Sequence, residues 1–373
     1  MRAVSLFSGV GGLESIEPAE VLCEINPDCR VVLSRRFPDS SLHDDVTTLK
    51  PVPGIDAVFG GWPCQDVSVA GLRKGLAGNR SGLLFQMIDF ARASGASAIV
   101  AENVPNLLSL EGGENFRLTL EAFERAGFGH VAWRVLNARQ FGLPHERRRI
   151  FIVASQDRST SMTLLRDIPK AKVSSRKAPS AAAFYWTAGL QGINFSVGYS
   201  PTLKVGSALS IPSPPAVFYR DVVRTISTRE AIALQGFPQA PFKGLAPNAV
   251  YRMMGNAVAL PVGRFVAKSL GPLRSRVSGR LVPMCLEQSL FGDACWPASW
   301  PKAGLKTGSE LFEYVDPAGA VPLANGLEDL LNLDSEARLS RRAANGLLSR
   351  LERSGKACPA DLRVALKERC EVG

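Results

Sequence analysis

Short apolar runs alternate with segments of helical period through the first 155 residues of the chain. The runs AVSLF (3–7), AEVLCEI (19–25), DAVFGG (56–61), AIVAEN (98–103), HVAWRVLNA (130–138) and RIFIVAS (149–155) read as strands, most of them too apolar to be half exposed. Between them, SGLLFQMIDFARASG (81–95) carries Leu84, Met87, Ile88 and Ala91 at helical spacing behind Ser81 as a cap. ENFRLTLEAFERAG (114–127) carries Phe116, Leu120 and Phe123 ahead of a Gly127 stop. This alternation predicts an α/β fold, a Rossmann-like, doubly wound, mainly parallel sheet with ligands at the carboxyl ends of its strands.

From residue 156 to about 220 the pattern gives way to Ser, Lys, Pro and Gly, with SSRKAPSAAA (174–183) and SIPSPPA (210–216) as loop or turn material. Periodicity returns in ISTREAIALQGF (226–237) and NAVALPVGRFVAKSL (256–270). After residue 272 a tail runs to the basic, amphipathic RLSRRAANGLLSRLERSGK (338–356).

Composition narrows the class. With 46% hydrophobic and 21% charged residues and no uninterrupted apolar run of about 18, the chain reads as a cytoplasmic protein without a membrane span or leader peptide. Seven scattered cysteines and three histidines support neither a disulfide framework nor a metal site. A net charge of +10 favours a polyanionic partner such as nucleic acid.

The candidate chemistry sits at strand ends. FSGVGG (7–12) follows the first strand and is expected to open the first helix, its glycines letting backbone approach a ligand. Glu24 ends the second strand, where an acid accepts from ribose hydroxyls, and Asp45 is placed to accept from an exocyclic amine. The three point to an adenosine-containing cofactor, and the missing GxGxxG spacing argues against NAD. Cys64 stands at the carboxyl end of DAVFGG, after rigid Pro63 and before polar Gln65, Asp66 and Ser68. The loop that follows, with Arg73, Lys74 and Arg80 among four glycines, has the composition of a lid over a phosphate backbone. Glu102 ends the next strand at the same edge of the sheet, and a thiolate beside a carboxyl group reads as nucleophile plus acid.

Six blocks in order, FSGVGG, GGWPCQDVS, AENV, NARQFGLPHERRRIFIVAS (137–155), RTISTREAIALQGFP (224–238) and MMGNAVALPVGRFVA (254–267), resemble the bacterial and phage-type cytosine-5 DNA methyltransferases over residues 1 to about 272. The resemblance implies S-adenosyl-L-methionine along Phe7, Gly9, Gly11, Glu24, Asp45, Val46, Pro63 and Leu84, with Asn256 and Val258 closing the pocket. It implies a flipped-out cytosine attacked at carbon 6 by Cys64, with a protonated Glu102 on ring nitrogen 3. Asn103 would brace the Pro63–Cys64 loop. Arg147 and Arg149, two apart and read as facing the same side of one strand, would contact the base or its phosphates, and Gln65, Ser68, Arg73, Lys74 and Arg80 would meet DNA.

Three departures from the family's blocks stand out. Ser5 occupies a place where Asp is usual, His145 one where Gln is usual, and the stretch from Gly12 to Glu24 is several residues short for a first helix. The domains expected are a catalytic, cofactor-binding domain over 1–155 completed by 250–272, a small target-recognition domain over 156–249, and a partly helical extension over 273–373. The partner implied is double-stranded DNA, bound by a monomer, with a cognate restriction endonuclease in prospect. An RNA substrate is disfavoured by the missing Cys-Phe-Thr block, and an inactive DNA-binding regulator by the retention of Cys64, Glu102 and Arg147 together.

Overall fold

The computed structural model describes residues 1–14, 19–63, 82–169, 181–188, 192–205, 214–270, 277–284, 287–288, 294–295, 300–308, 310–315, 326–331, 340–354 and 360–371. The chain divides into two compact units. The first comprises Met1–Leu136, Arg148–Pro169 and Leu260–Ala320; the second comprises Asn137–Arg147, Lys170–Ala259 and Val321–Gly373.

In the first unit, β1 (Ala3–Leu6), β2 (Val21–Cys23), β3 (Ser41–His43), β4 (Ala57–Gly61) and β5 (Ala98–Asn103) pair parallel in the order β3-β2-β1-β4-β5. β1 and β5 are buried at every position, as their continuous apolar sequences require of strands covered on both faces. β6 (His130–Asn137) and β7 (Arg148–Ser155) extend the sheet, β7 running antiparallel to β5. α1 (Pro27–Arg36) starts where the Asn26 side chain accepts from the amides of Asp28 and Cys29, with Pro27 in the first turn. α2 (Leu83–Ala93) buries Leu84, Met87, Ile88 and Ala91, and α3 (Glu114–Arg125) buries Phe116, Leu120 and Phe123. These are the faces that the spacing predicts. The N-cap of α2 is Gly82; the expected cap, Ser81, lies outside the described residues. α4 (Arg158–Met162) follows β7, capped by Asp157.

One expectation fails: no helix opens at FSGVGG. Residues 7–14 are turns and bends. Phe7 (φ 56°), Gly9 (φ 57°) and Gly11 (φ 81°) take left-handed conformations that a right-handed helix excludes. The amides of Ser8 and Gly11 go instead to the carbonyls of Cys23 (3.0 Å) and Ser8 (2.9 Å).

The second unit holds an antiparallel four-stranded sheet of β8 (Ala182–Ala188), β9 (Gly192–Val197), β10 (Ala216–Tyr219) and β11 (Val222–Thr225), in the order β11-β10-β8-β9. α5 (Thr228–Leu234) begins with a Ser227–Glu230 capping box, and α6 (Pro247–Asn256) packs beside it. The chain then returns to the first unit. In α7 (Leu260–Ala267), a Cβ on Gly263 would collide with the Gly12 carbonyl, so this helix lies backbone to backbone on the turn after β1. β12 (Arg280–Pro283), the short ladder of β13 (Glu287–Gln288) with β14 (Ala294–Cys295), β15 (Ala303–Thr307) and β16 (Glu310–Val315) come next. β15 pairs antiparallel with β6, so the sheet reads β12-β16-β15-β6-β7-β5-β4-β1-β2-β3. Trp300 seals this edge in edge-on contact with Phe116 and Trp133, centroids 5.2 and 5.8 Å away, and its indole N–H donates to the Gly113 carbonyl at 2.9 Å. Finally α8 (Arg341–Ser354) and α9 (Ala360–Glu371) lay Leu347, Leu351, Leu362 and Leu366 on Phe184 and Phe218 of the second unit's sheet. No helix among the described residues is long and apolar enough to cross a membrane.

Candidate active site

The carboxyl ends of β1, β2 and β3 carry the residues expected to hold a nucleoside. Glu24, half-buried after β2, accepts from the Gly9 amide at 2.8 Å through one oxygen and from the Asn26 amide at 2.8 Å through the other. Its carboxylate therefore ties the turn after β1 to the end of β2, with lone pairs left for a ligand's hydroxyls. Among the described residues nothing lies within 4 Å of a Cβ built on Gly9, which leaves room above the turn. At Gly11 the ring of Phe37 fills the place of a side chain, and Arg36 donates to the carbonyls of Val10 and, at 2.7 Å, Gly11. Asp45 accepts from the Thr47 amide and hydroxyl, both at 2.8 Å, and these bonds hold its carboxyl below the usual range. Phe7 and Val46 are partly buried against the core and Leu84 is buried in it. Sequence reasoning passed over Ile25, which directly follows Glu24 and is 75% exposed. An apolar residue one position past a strand-end acid was the available signal.

At the ends of β4 and β5 a second group assembles. Glu102 is 8% exposed, and its Oε1 lies 3.0 Å from Nε of Arg149. Gly61 stands opposite Glu102 in the β4–β5 register, and a Cβ there would sit 2.8 Å from Glu102 Oε2. Glycine is what gives this carboxylate its place. Asn103, also buried, donates from Nδ2 to the Trp62 carbonyl at 3.1 Å and accepts the Val104 amide at 2.8 Å. It thereby fastens the exit of β4 one residue before exposed Pro63. Cys64, Gln65, Ser68, Arg73, Lys74 and Arg80 lie outside the described residues. Two other thiols, Cys23 and Cys29, are buried, and desolvation pushes each up to about 12, so neither is a nucleophile at neutral pH.

In the second unit, Arg147 is 2% exposed and donates to the carbonyls of Gly255 (2.9 Å) and Leu203 (3.4 Å). It falls just before β7, so strand alternation does not put it on one face with Arg149, as its spacing had suggested. Beside it the Leu203 amide donates to Nε2 of His145 at 3.1 Å, which makes that ring nitrogen an acceptor. Gly255, Ala257 and Ala259 are buried, while Asn256 between them is exposed and Val258 half-buried. Gln235 fixes this segment through the carbonyls of Met254 and Ala257. Asn256 and Val258 thus present their side chains from a backbone held on both sides.

The donor set on the first unit suits an adenosyl group: a glycine turn with room above it, acids after consecutive parallel strands, and an apolar residue beside the first acid. The C-5 cytosine-specific DNA methylase family matches residues 1–196 and 196–272. The type II methyltransferase M2.BsuMI of Bacillus subtilis (strain 168) is 33% identical over 398 residues, covering 100% of this chain and 98% of that protein. M.Bsp6I of Bacillus sp. (strain RFL6) is 27% identical over 310 residues, covering 72% of this chain and 98% of that protein. The solved structure of the S. pombe Dnmt2 methyltransferase is 15% identical, covers 72% of this chain and 98% of that one, and has a TM-score of 0.48. With the match to the family running over most of its length, the chain belongs to the C-5 cytosine-specific DNA methylases, enzymes that place a methyl group on carbon 5 of cytosine in DNA.

Proposed function

We propose that the methyl donor is S-adenosyl-L-methionine and that transfer proceeds through a covalent bond between Cys64 and carbon 6 of a cytosine turned out of the duplex. Glu24 and Asp45 would accept from the ribose hydroxyls and the adenine amine, Ile25 would cover a purine face, and the turn from Phe7 to Gly11 would carry the methionine end. Pro63, Val46 and Leu84 would complete the apolar wall. When bound, the cofactor supplies a methyl group activated by a sulfonium.

The chain's own residues would do the rest. Cys64 as thiolate adds to carbon 6, and the electron pair displaced from the ring double bond is stabilised because Glu102 donates a proton to ring nitrogen 3. Carbon 5, now electron-rich, would take the methyl group; its proton would then pass to a water molecule and the ring nitrogen 3 proton return to Glu102, which re-forms the double bond and expels the Cys64 thiolate. Asn103, through the Trp62 carbonyl, holds the backbone that leads into Cys64. Arg149 orients Glu102, and Arg147 keeps the Leu203 and Gly255 backbones in register. Gln65, Ser68, Arg73, Lys74 and Arg80 would meet the DNA, and the second unit would read its sequence. The type II names of the relatives support a cognate endonuclease as partner, and the enzyme would act as a monomer in the cytoplasm.

The observation that carries this reading is the buried Glu102, seated against Gly61 and paired with Arg149 at the edge of the sheet where the Cys64 segment leaves β4. Bisulfite sequencing of DNA treated with purified enzyme and S-adenosyl-L-methionine tests it. Cytosines in one sequence context should resist conversion; uniform conversion, with and without cofactor, would overturn the reading.

A further inference from the structure

A buried carboxylate on the turn after β1 has no part in that chemistry. Glu14 is 3% exposed; its Oε1 accepts from the Ser5 hydroxyl, and its Oε2 has no hydrogen-bond partner among the described residues. A carboxylate is kept in such a place at the cost of desolvation, which here raises its pKa, so its retention calls for an explanation.

Ser5 supplies one. Fully buried in β1, it stands where the family's first block usually has Asp, and the end of the strand would otherwise lack a carboxyl group. The short stretch after Gly12 brings one back nine residues later. Ser5 donates to Glu14 while its Oγ accepts from the Ser8 hydroxyl at 3.1 Å, and that hydroxyl also lies 3.1 Å from the Ser5 carbonyl. When ionised, Glu14 further offsets the charge of half-buried Arg36, the residue that holds the carbonyls of Val10 and Gly11. Arg264, the other charge acting on Arg36, opposes it. Because residues 7–14 form no helix, with three left-handed positions among them, side-chain bonds must take over the work of a hydrogen-bonded ladder.

We propose that Glu14, acting through Ser5, is a positioning residue for the cofactor turn, supplying from the turn the carboxylate that the family's Asp supplies from the strand. The inference rests on the reading that residues 7–11 hold S-adenosyl-L-methionine. Glu14 touches no reacting atom, so its effect falls on affinity for the cofactor rather than on the rate of transfer.

Calorimetric titration with S-adenosyl-L-methionine, beside steady-state methylation by the full chain, tests this. Glu14→Ala should raise Kd and KM for the cofactor about tenfold while kcat at saturation changes by no more than about twofold. Glu14→Gln, which still accepts from Ser5, should recover most of the loss, and Ser5→Asp introduced into the Glu14→Ala chain should restore it. Equal affinity in the wild type and Glu14→Ala, or kcat falling in step with affinity, overturns the inference. So does a Ser5→Asp, Glu14→Ala chain that binds no better than Glu14→Ala. Should Glu14→Ala fail to fold, Ser5→Ala, which keeps the carboxyl and removes its donor, is judged by the same two constants. A wild-type chain that binds no S-adenosyl-L-methionine contradicts the cofactor reading instead, before any variant is made.

Discussion

Arg149 Nε lies 3.0 Å from Glu102 Oε1, and both side chains are largely enclosed. Removing Glu102 leaves Arg149 charged and poorly solvated, and removing Arg149 leaves Glu102 without the group that orients it. Glu102→Gln should lower the single-turnover rate by about 10² or more, the usual scale of a positioned acid, and Arg149→Ala should lower it in the same direction while cofactor affinity stays near the wild type. Rapid-quench methylation with calorimetry measures both. A rate unaltered by Glu102→Gln would remove the acid from the mechanism.

Gly61 is the partner that makes room for this carboxylate. A methyl group there would sit 2.8 Å from Glu102 Oε2, closer than such atoms approach one another, and Glu102 is hemmed in by Arg149 and β5. Gly61→Ala is expected to lower kcat about tenfold or more and to lower the melting temperature, because either the carboxylate or the strand must shift. Kinetics at wild-type rate would mean that the site yields without cost.

Trp300 ties the C-terminal strands to the rest of the first unit. Its edge contacts with Phe116 and Trp133 and its bond to the Gly113 carbonyl vanish in Trp300→Ala, which should cost about 3–5 kcal/mol of stability. Urea unfolding measures it, and a loss under about 1 kcal/mol would show that the strand edge survives without its seal.

Glu14 also gives a signature in pH. Desolvation raises its carboxyl above the ordinary value, with Ser5 and Arg36 acting against that shift, so the folded chain holds this proton more tightly than the unfolded one. Stability therefore falls as pH rises from the unfolded value through the folded one. Glu14→Gln removes the titration, and its stability relative to the wild type should grow as pH rises above the ordinary carboxyl range. A difference that stays flat across denaturation midpoints above that range would contradict the raised pKa.

How much was legible in sequence depended on how local the signal was. AIVAEN became β5 residue for residue, because an apolar run ending in Glu102 and Asn103 needs no partner to be recognised. The core faces of α2 and α3 were equally plain. α1 was overlooked, although Asn26 and Pro27 form a cap and first turn, because its mixed face carries little apolar period. The turn after β1 misled: glycines there serve left-handed backbone rather than a helix start, and the Ser5–Glu14 bond that organises it spans nine residues. The seating of Trp300 and the docking of α8 on Phe184 were invisible for the same reason, since each joins positions more than 150 residues apart. Arg147 and Arg149 looked alike by spacing, yet one holds backbone carbonyls and the other a carboxylate.

The central claim is a sulfur–carbon bond between Cys64 and the target base. Duplex DNA carrying 5-fluorocytosine tests it directly, because fluorine at carbon 5 cannot depart as a proton does and the adduct cannot collapse. With S-adenosyl-L-methionine present, the wild-type chain should migrate on a denaturing gel as a covalent complex with that DNA, and Cys64→Ser should not. Methyl transfer to ordinary DNA without any trapped complex, or a complex that persists in Cys64→Ser, would contradict the account.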